Sequence, residues 1–323
     1  MKFYKIATLV FLSLLFTNCK QRITIKKSKF TGINPVSYTD VVFTSSRDTV
    51  FVSTYDGKIY ELINQKNNRK QIAAIDDEIY NMAYNAEKNE VYAATLHLGI
   101  VVINTLSGAL IKKIPLKASW AYQLCYNQKN GILATFDFKG NHYIWDTEND
   151  FKQLDTPAEL KQMRPKYITD NGDIYFDGRM NKILVWNYKT NEIKQHTIKG
   201  KLADVDSEAN FLLIDGKEFG YYNTASDSLY YSKKHPDWPI YLADKDTTVN
   251  VPLNLEVITG LMTKGHLYTY GLDKSIRKWN KPSGAIVETY SKHRATPSAM
   301  DITQDRSQLV TVDLKGGIEF WDL

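Results

Sequence analysis

His142-Tyr143-Ile144-Trp145-Asp146 reads as a short strand that ends in a large residue and a polar turn. Six other stretches have the same form: Gly57-Lys58-Ile59-Tyr60-Glu61-Leu62, Ile100-Val101-Val102-Ile103-Asn104, Ile183-Leu184-Val185-Trp186-Asn187, Phe219-Gly220-Tyr221-Tyr222-Asn223, Ile276-Arg277-Lys278-Trp279-Asn280 and Ile318-Glu319-Phe320-Trp321-Asp322. Taking Leu62, Ile103, Trp145, Trp186, Tyr222, Trp279 and Trp321 as equivalent gives spacings of 41, 42, 41, 36, 57 and 42 residues. Four of the six agree within one residue, which marks a repeat architecture.

Each run is preceded by two further strand candidates joined by a turn. In the second unit Ile79 to Tyr84 and Val91 to Thr95 flank Asn85 to Asn89; in the last, Ser298 to Ile302 and Leu309 to Val312 flank Thr303 to Ser307. A fourth strand follows several runs, after turns such as Asn104-Thr105-Leu106-Ser107-Gly108, whose Asn, Ser and Gly supply the acceptors and backbone angles of tight turns. Four short strands about every 42 residues predict an all-β, seven-bladed β-propeller over residues 31–323. The 305 residues after position 18 share out at about 44 per blade, which fits. The last run stops at Leu323 without an outer strand, while Ile23-Thr24-Ile25-Lys26-Lys27 alternates apolar and polar with no strand of its own to pair with. Residues 22–30 are therefore expected to fill the last blade and close the ring, because an unfilled edge exposes backbone donors and acceptors.

The units resemble the WD-repeat family across nearly all of 31–323. Trp145-Asp146 and Trp321-Asp322 match the family dipeptide, Trp186-Asn187 and Trp279-Asn280 are near matches, and Asp56, Asp137, Asp177, Asp215, Asp273 and Asp313 resemble its tight-turn aspartate. The Gly-His pair that opens a standard repeat is missing, since Gly265-His266 lies at the wrong phase; this counts against the family's His–Asp hydrogen-bond network.

Residues 1–18 read as an export signal, with Lys2 and Lys5 ahead of an uncharged, mostly apolar run from Ile6 to Phe16 that is too short to span a bilayer. The run ends in Leu15-Phe16-Thr17-Asn18-Cys19, which resembles a bacterial lipobox, although Phe16 stands where the family prefers Leu and Asn18 where it prefers a small residue. The resemblance implies that Cys19 is the lipidation site, that 19–30 are tether and closing strand, and that the protein contacts the membrane through the lipid. Lys20 in place of the inner-membrane Asp, and the lack of an acidic surface-export cluster after it, imply an outer-membrane anchor facing the periplasm.

After the signal, 39 basic face 36 acidic residues. Near balance, with export, argues against nucleic acid as partner. Cys125 is then the one thiol left beside Cys19 and sits in an apolar strand-like run, so it reads as a buried structural cysteine. No His or Cys pair has metal spacing, and no nucleophile elbow or phosphate-binding glycine loop occurs; no catalytic residue, metal or cofactor is assigned.

The long spacing of 57 places an insertion, roughly His235 to Leu255, on the loop entering blade six. It carries Trp238 between two prolines, a stiff contact residue of the kind that anchors interfaces. Trp120, Arg164, Arg179, His293 and Arg294 fall on loops of the same face and complete the expected partner-binding set. The leading expectation is a non-catalytic, lipid-anchored propeller that binds or scaffolds other cell-envelope proteins, resembling at fold level the propeller lipoproteins of outer-membrane assembly machines. The alternative is a propeller enzyme or small-ligand binder of lactonase, lyase or quinoprotein type, with residues from several blades around the channel.

Overall fold

The computed structural model describes residues 37–63, 69–178, 181–251 and 255–323. The signal, Cys19, the expected closing strand 22–30 and Arg179 lie outside the described residues. The described chain forms seven antiparallel meanders and one separate hairpin. Blade one comprises Tyr38–Phe43, Val50–Thr54, Lys58–Leu62 and Arg69–Ala74, and blade two Ile79–Asn85, Glu90–Thr95, Ile100–Asn104 and Leu110–Ile114. Blade three is Leu124–Asn127, Ile132–Phe136, His142–Asp146 and Lys152–Gln153; blade four is Arg164–Ile168, Asp173–Asp177, Lys182–Asn187 and Ile193–Thr197. Blade five is Lys201–Val205, Phe211–Asp215, Glu218–Asn223 and Ser228–Lys234, and blade six Val257–Met262, His266–Gly271, Ile276–Asn280 and Ile286–Tyr290. Blade seven has three described strands, Pro297–Ile302, Gln308–Asp313 and Ile318–Asp322.

The repeat spacing survives as register. Leu62, Ile103, Trp145, Trp186, Tyr222, Trp279 and Trp321 stand opposite Val50, Val91, Leu133, Ile174, Phe211, Leu267 and Leu309, one such pair per blade. All seven are buried, so each third strand ends by inserting a large side chain between its blade and a neighbour. Burying such a side chain stabilises the fold by about 1.5–3 kcal/mol.

The core is accordingly divided among the blade interfaces. Phe51 and Ile59 pack with Met82 and Val101 between blades one and two, and Leu212 and Phe219 with Leu267 and Trp279 between blades five and six. The remaining interfaces have their own clusters. The cluster that closes the circle joins Tyr38, Val41, Phe43 and Val52 of blade one to Ala299, Val310 and Val312 of blade seven. Tight turns between second and third strands lie against the segment that leaves the outer strand, as in blade one. Gly57, at φ +79°, lies so near the Ile75 carbonyl that a Cβ would fall 2.1 Å from it, so only glycine fits.

An inner strand has no sheet neighbour on its channel side, and its outward backbone N–H groups need acceptors. Side chains of the preceding blade supply them. Asp301 accepts the Phe43 N–H and Asp204 the Met262 N–H, both at 2.7 Å, and Asn81 accepts the Leu124 N–H at 2.7 Å. Asp40 does the same for Met82. Burial raises the Asp40 carboxyl to about 8 and those of Asp204 and Asp301 to about 6.

The insertion before blade six is a two-stranded hairpin, Trp238–Leu242 paired with Thr247–Val251, rather than an irregular loop. Alternation puts Ile240 and Val249 opposite each other, and both remain exposed. Cys125 is buried, and burial pushes its thiol up to about 12, as befits a structural residue.

Candidate partner-binding face

In a meander of four strands, the loop from each outer strand to the next inner strand and the turn between second and third strands share one face. Aromatic side chains gather there over blades one to three. Tyr55, on a turn of blade one, meets Tyr80 of the next inner strand with ring centroids 5.9 Å apart, and Tyr80 meets Trp120 at 5.2 Å. Trp120 contacts Tyr122 at 5.4 Å and lies parallel to Phe138 at 6.0 Å; Tyr122 continues to Phe136 at 5.6 Å. Phe138 is 72% exposed and Tyr122 53%, so with Trp120 they form a contiguous exposed aromatic patch.

The backbone holds this patch in place. Trp120 N–H donates to the Leu96 carbonyl at 2.6 Å, Ala121 N–H to Thr95, and Phe138 N–H to Ser119 at 3.2 Å, tying the loop to blades two and three. Trp120 adopts φ +67°, a conformation that a bulky residue takes only where its surroundings impose it. Its indole Nε1 is buried without a hydrogen-bond partner. The inner strands of blades one, two, four, five, six and seven each slip register by one residue, and these bulges re-aim single side chains, Tyr80 and Lys166 among them.

Arg164 joins the patch from blade four, its guanidinium 5.2 Å from the Phe136 ring centre. Arg294 is exposed on the loop before blade seven. Trp238 has its backbone paired with Val251 in the hairpin, and its side chain lies outside the described part. His293 requires a correction. It is buried, with Nδ1 3.1 Å from Asp313 Oδ2 and Nε2 2.7 Å from Thr311 Oγ1. Trp321 Nε1 donates to the same hydroxyl at 2.9 Å. With Trp321 donating to Thr311, the Thr311 hydroxyl donating to His293 and His293 donating to Asp313, every polar atom of the chain is satisfied. His293 therefore fastens blade seven and is not available to a partner.

Blade six brings the corresponding Trp279, Thr269, His235 and Asp273 together, at 2.9, 2.7 and 3.3 Å, and adds Arg277, whose guanidinium contacts both His235 Nδ1 and Asp273. Burial alone would raise the Asp273 carboxyl, but His235 and Arg277 outweigh it and hold the group well below the usual range. The same burial, stronger than the pull of Asp273, lowers the His235 imidazole. The His–Asp network discounted from the missing Gly-His pair is thus present in two blades. In blade three Tyr143 takes the histidine's part, donating its hydroxyl to Asp137 Oδ2 at 2.8 Å.

Trp120 and Arg164 of the expected set lie on this face beside Tyr80, Tyr122 and Phe138, which the expected set lacks. Phe138 carried a usable signal, since it is an aromatic inside the polar turn Asp137-Phe138-Lys139-Gly140, where no core is within reach. Among the described residues no group of three or more His, Cys, Asp or Glu is placed to hold a metal ion. The channel-edge acids Asp40, Asp204 and Asp301 are each committed to a backbone N–H of the next blade.

No family model matches the chain, and no curated protein matches it. Among solved structures it is similar to the WD40 β-propeller domain of Doa1, with a TM-score of 0.69 at 11% identity, over 88% of this chain and 92% of that one. The fold is therefore an all-β, seven-bladed propeller of the WD40 kind.

Proposed function

We propose that the protein is a non-catalytic propeller that binds or scaffolds other cell-envelope proteins, tethered by a lipid on Cys19 to the outer membrane and facing the periplasm. The observation that carries the binding reading is the contiguous aromatic surface of Trp120, Tyr122 and Phe138 on the strand-entry face. Such rings are large, rigid and amphipathic, so they contribute contact area at little cost in side-chain freedom. The support for the tether is the signal-like sequence ahead of Cys19.

In the same reading residues 22–30 add as the fourth strand of blade seven. A groove of about 440 Å³ runs beside Ile318–Asp322, lined by Tyr290, Lys292, Phe320 and Trp321 among others.

Cross-linking in intact cells, comparing wild type with Trp120→Ala plus Phe138→Ala, tests the face. Loss of specific cross-linked species in a variant that keeps its melting temperature is expected; an unchanged pattern removes this surface from the reading. Globomycin-type inhibition of lipoprotein maturation, or Cys19→Ser, is expected to release the protein from the membrane fraction. A stoichiometric metal ion or chromophore in the purified protein would favour the propeller-enzyme alternative.

A further inference from the structure

We propose that the blade-four end of this surface recognises a carboxylate of an acidic peptide segment in the partner, while Trp120, Tyr122 and Phe138 receive an apolar side chain next to it. The proposal rests on the partner-binding reading of the face and adds the chemistry of the partner.

The aromatic path does not stop at Phe136. Over that ring stand two cations, the Arg164 guanidinium at 5.2 Å and the Lys166 ammonium at 5.8 Å from its centre. Lys166 is the bulged residue of its inner strand, and Nζ donates to the neutral Gln123 Oε1 of blade three at 2.8 Å. Lys201, exposed at the start of the next inner strand, is the third cation of the group. The acid these three share is Asp177, which is 8% exposed. Burial raises its carboxyl more than Lys166, Arg164 and Lys201 lower it. None of the three cations is held in an ion pair among the described residues. Burial lowers the Lys166 ammonium below its usual range, so the exposed Arg164 and Lys201 are the two cations that an incoming carboxylate would meet through charge-assisted hydrogen bonds.

The other end of the path is unlike this one. Asp77 already accepts the N–H groups of His97 and Leu98 at 2.7 and 2.8 Å, and Glu78 accepts the Tyr80 hydroxyl at 2.6 Å. With the exposed Asp76 beside them, these acids make that end of the path acidic, whereas Arg164 and Lys201 make the blade-four end basic. The aromatics also favour a side chain over a flat ring system. Trp120 and Phe138 are parallel within 11°, but Tyr122 stands at 61° to Trp120, and the three make a corner rather than an open stacking platform.

The test uses the full chain and an array of blocked hexapeptides in which Phe or Leu precedes two acidic residues, with the Asn/Gln counterparts as control. Wild type is expected to retain acidic peptides selectively, with binding that weakens as salt rises. Arg164→Gln plus Lys201→Gln, both exposed sites, should weaken retention by about tenfold or more. Trp120→Ala plus Phe138→Ala should weaken it without changing the salt dependence. Equal binding of acidic and amide arrays, or no effect of either double variant, overturns the proposal. So does retention on phosphatidylglycerol vesicles that depends on Arg164 and Lys201 in the absence of peptide binding, because the anion is then a lipid phosphate. If cellular cross-links survive Arg164→Gln plus Lys201→Gln but are lost in Trp120→Ala plus Phe138→Ala, the face stands and the acidic-peptide assignment falls. If both variants keep them, both fall.

Discussion

Asp40 of blade one is hydrogen-bonded through one carboxylate oxygen to blade two, accepting the Met82 backbone N–H at 2.5 Å and the Asn81 side-chain amide at 2.8 Å. The next blade performs the same task with a neutral group, since Asn81 Oδ1 accepts the Leu124 N–H. Comparing the two isolates the cost of charge. Burial raises the Asp40 carboxyl from 3.8 to about 8. The folded state therefore binds this proton more tightly than the unfolded chain, and stability falls as pH rises from about 4 to about 8. Asp40→Asn keeps an acceptor and removes the titration. Relative to wild type its melting temperature should climb steadily between pH 5 and 9, by the equivalent of about 2 kcal/mol or more, since each pKa unit is worth about 1.4 kcal/mol. Thermal melts across that range check it; a difference independent of pH would show that Asp40 is ionised throughout.

Thr311 sits between Trp321 and His293 and is the hinge of the blade-seven chain. Thr311→Val keeps the shape and leaves a buried indole N–H and an imidazole nitrogen without partners. The expected cost is about 2 kcal/mol in urea unfolding, with Thr311→Ser close to wild type. If valine is tolerated as well as serine, the chain contributes packing only.

The repeat was legible because it is written in local chemistry. Trp145, Trp186, Trp279 and Trp321 each close a strand of their own blade, and their period is set by blade size alone. The His–Asp network was not, because its members come from separate segments whose spacing varies. His293 precedes Asp313 by 20 residues, whereas the hairpin Trp238–Leu242 and Thr247–Val251 pushes His235 to 38 residues before Asp273. No fixed phase survives such an insertion. The channel-edge bonds of Asp204 and Asp301 are still less visible, joining residues 58 and 258 positions apart through the curvature of the ring. Of the face, Trp120 and Arg164 could be read from loop position, but the bulge that aims Tyr80 cannot be seen in a single strand.

Trp120 offers a separation of binding from folding. Its φ of +67° is unfavourable for every residue but glycine, by roughly 1 kcal/mol, and its indole N–H has no partner. Trp120→Gly relieves the backbone while deleting the ring. Its unfolding free energy should stay within about 1 kcal/mol of wild type, while cellular cross-links are lost. Phe136→Ala, at a buried position beneath the patch, should instead cost about 3 kcal/mol. A Trp120→Gly protein that unfolds as readily as Phe136→Ala would make the tryptophan a core residue.

The outward edge of Ile318–Asp322 tests the closure of the ring. In blades one to six the third strand is paired with a fourth, whereas among the described residues Ile318–Asp322 pairs with Gln308–Asp313 alone. A strand added there would pair the backbone groups of Ile318–Asp322 that face away from Gln308–Asp313. Ile23 and Ile25 alternate with Thr24 and Lys26 as such a strand requires. Hydrogen exchange should therefore show slow amides both in 22–30 and in Ile318–Asp322. Ile23→Asp plus Ile25→Asp, which leaves the length unchanged, should release both sets together and lower stability by about 2 kcal/mol or more through lost apolar burial. It should also promote self-association through the bared edge, read by size-exclusion chromatography. Fast exchange in 22–30 of the wild type, with Ile318–Asp322 protected equally in both proteins, would mean that the segment is a tether and that packing between Val41, Val52 and Val310 holds the circle without it.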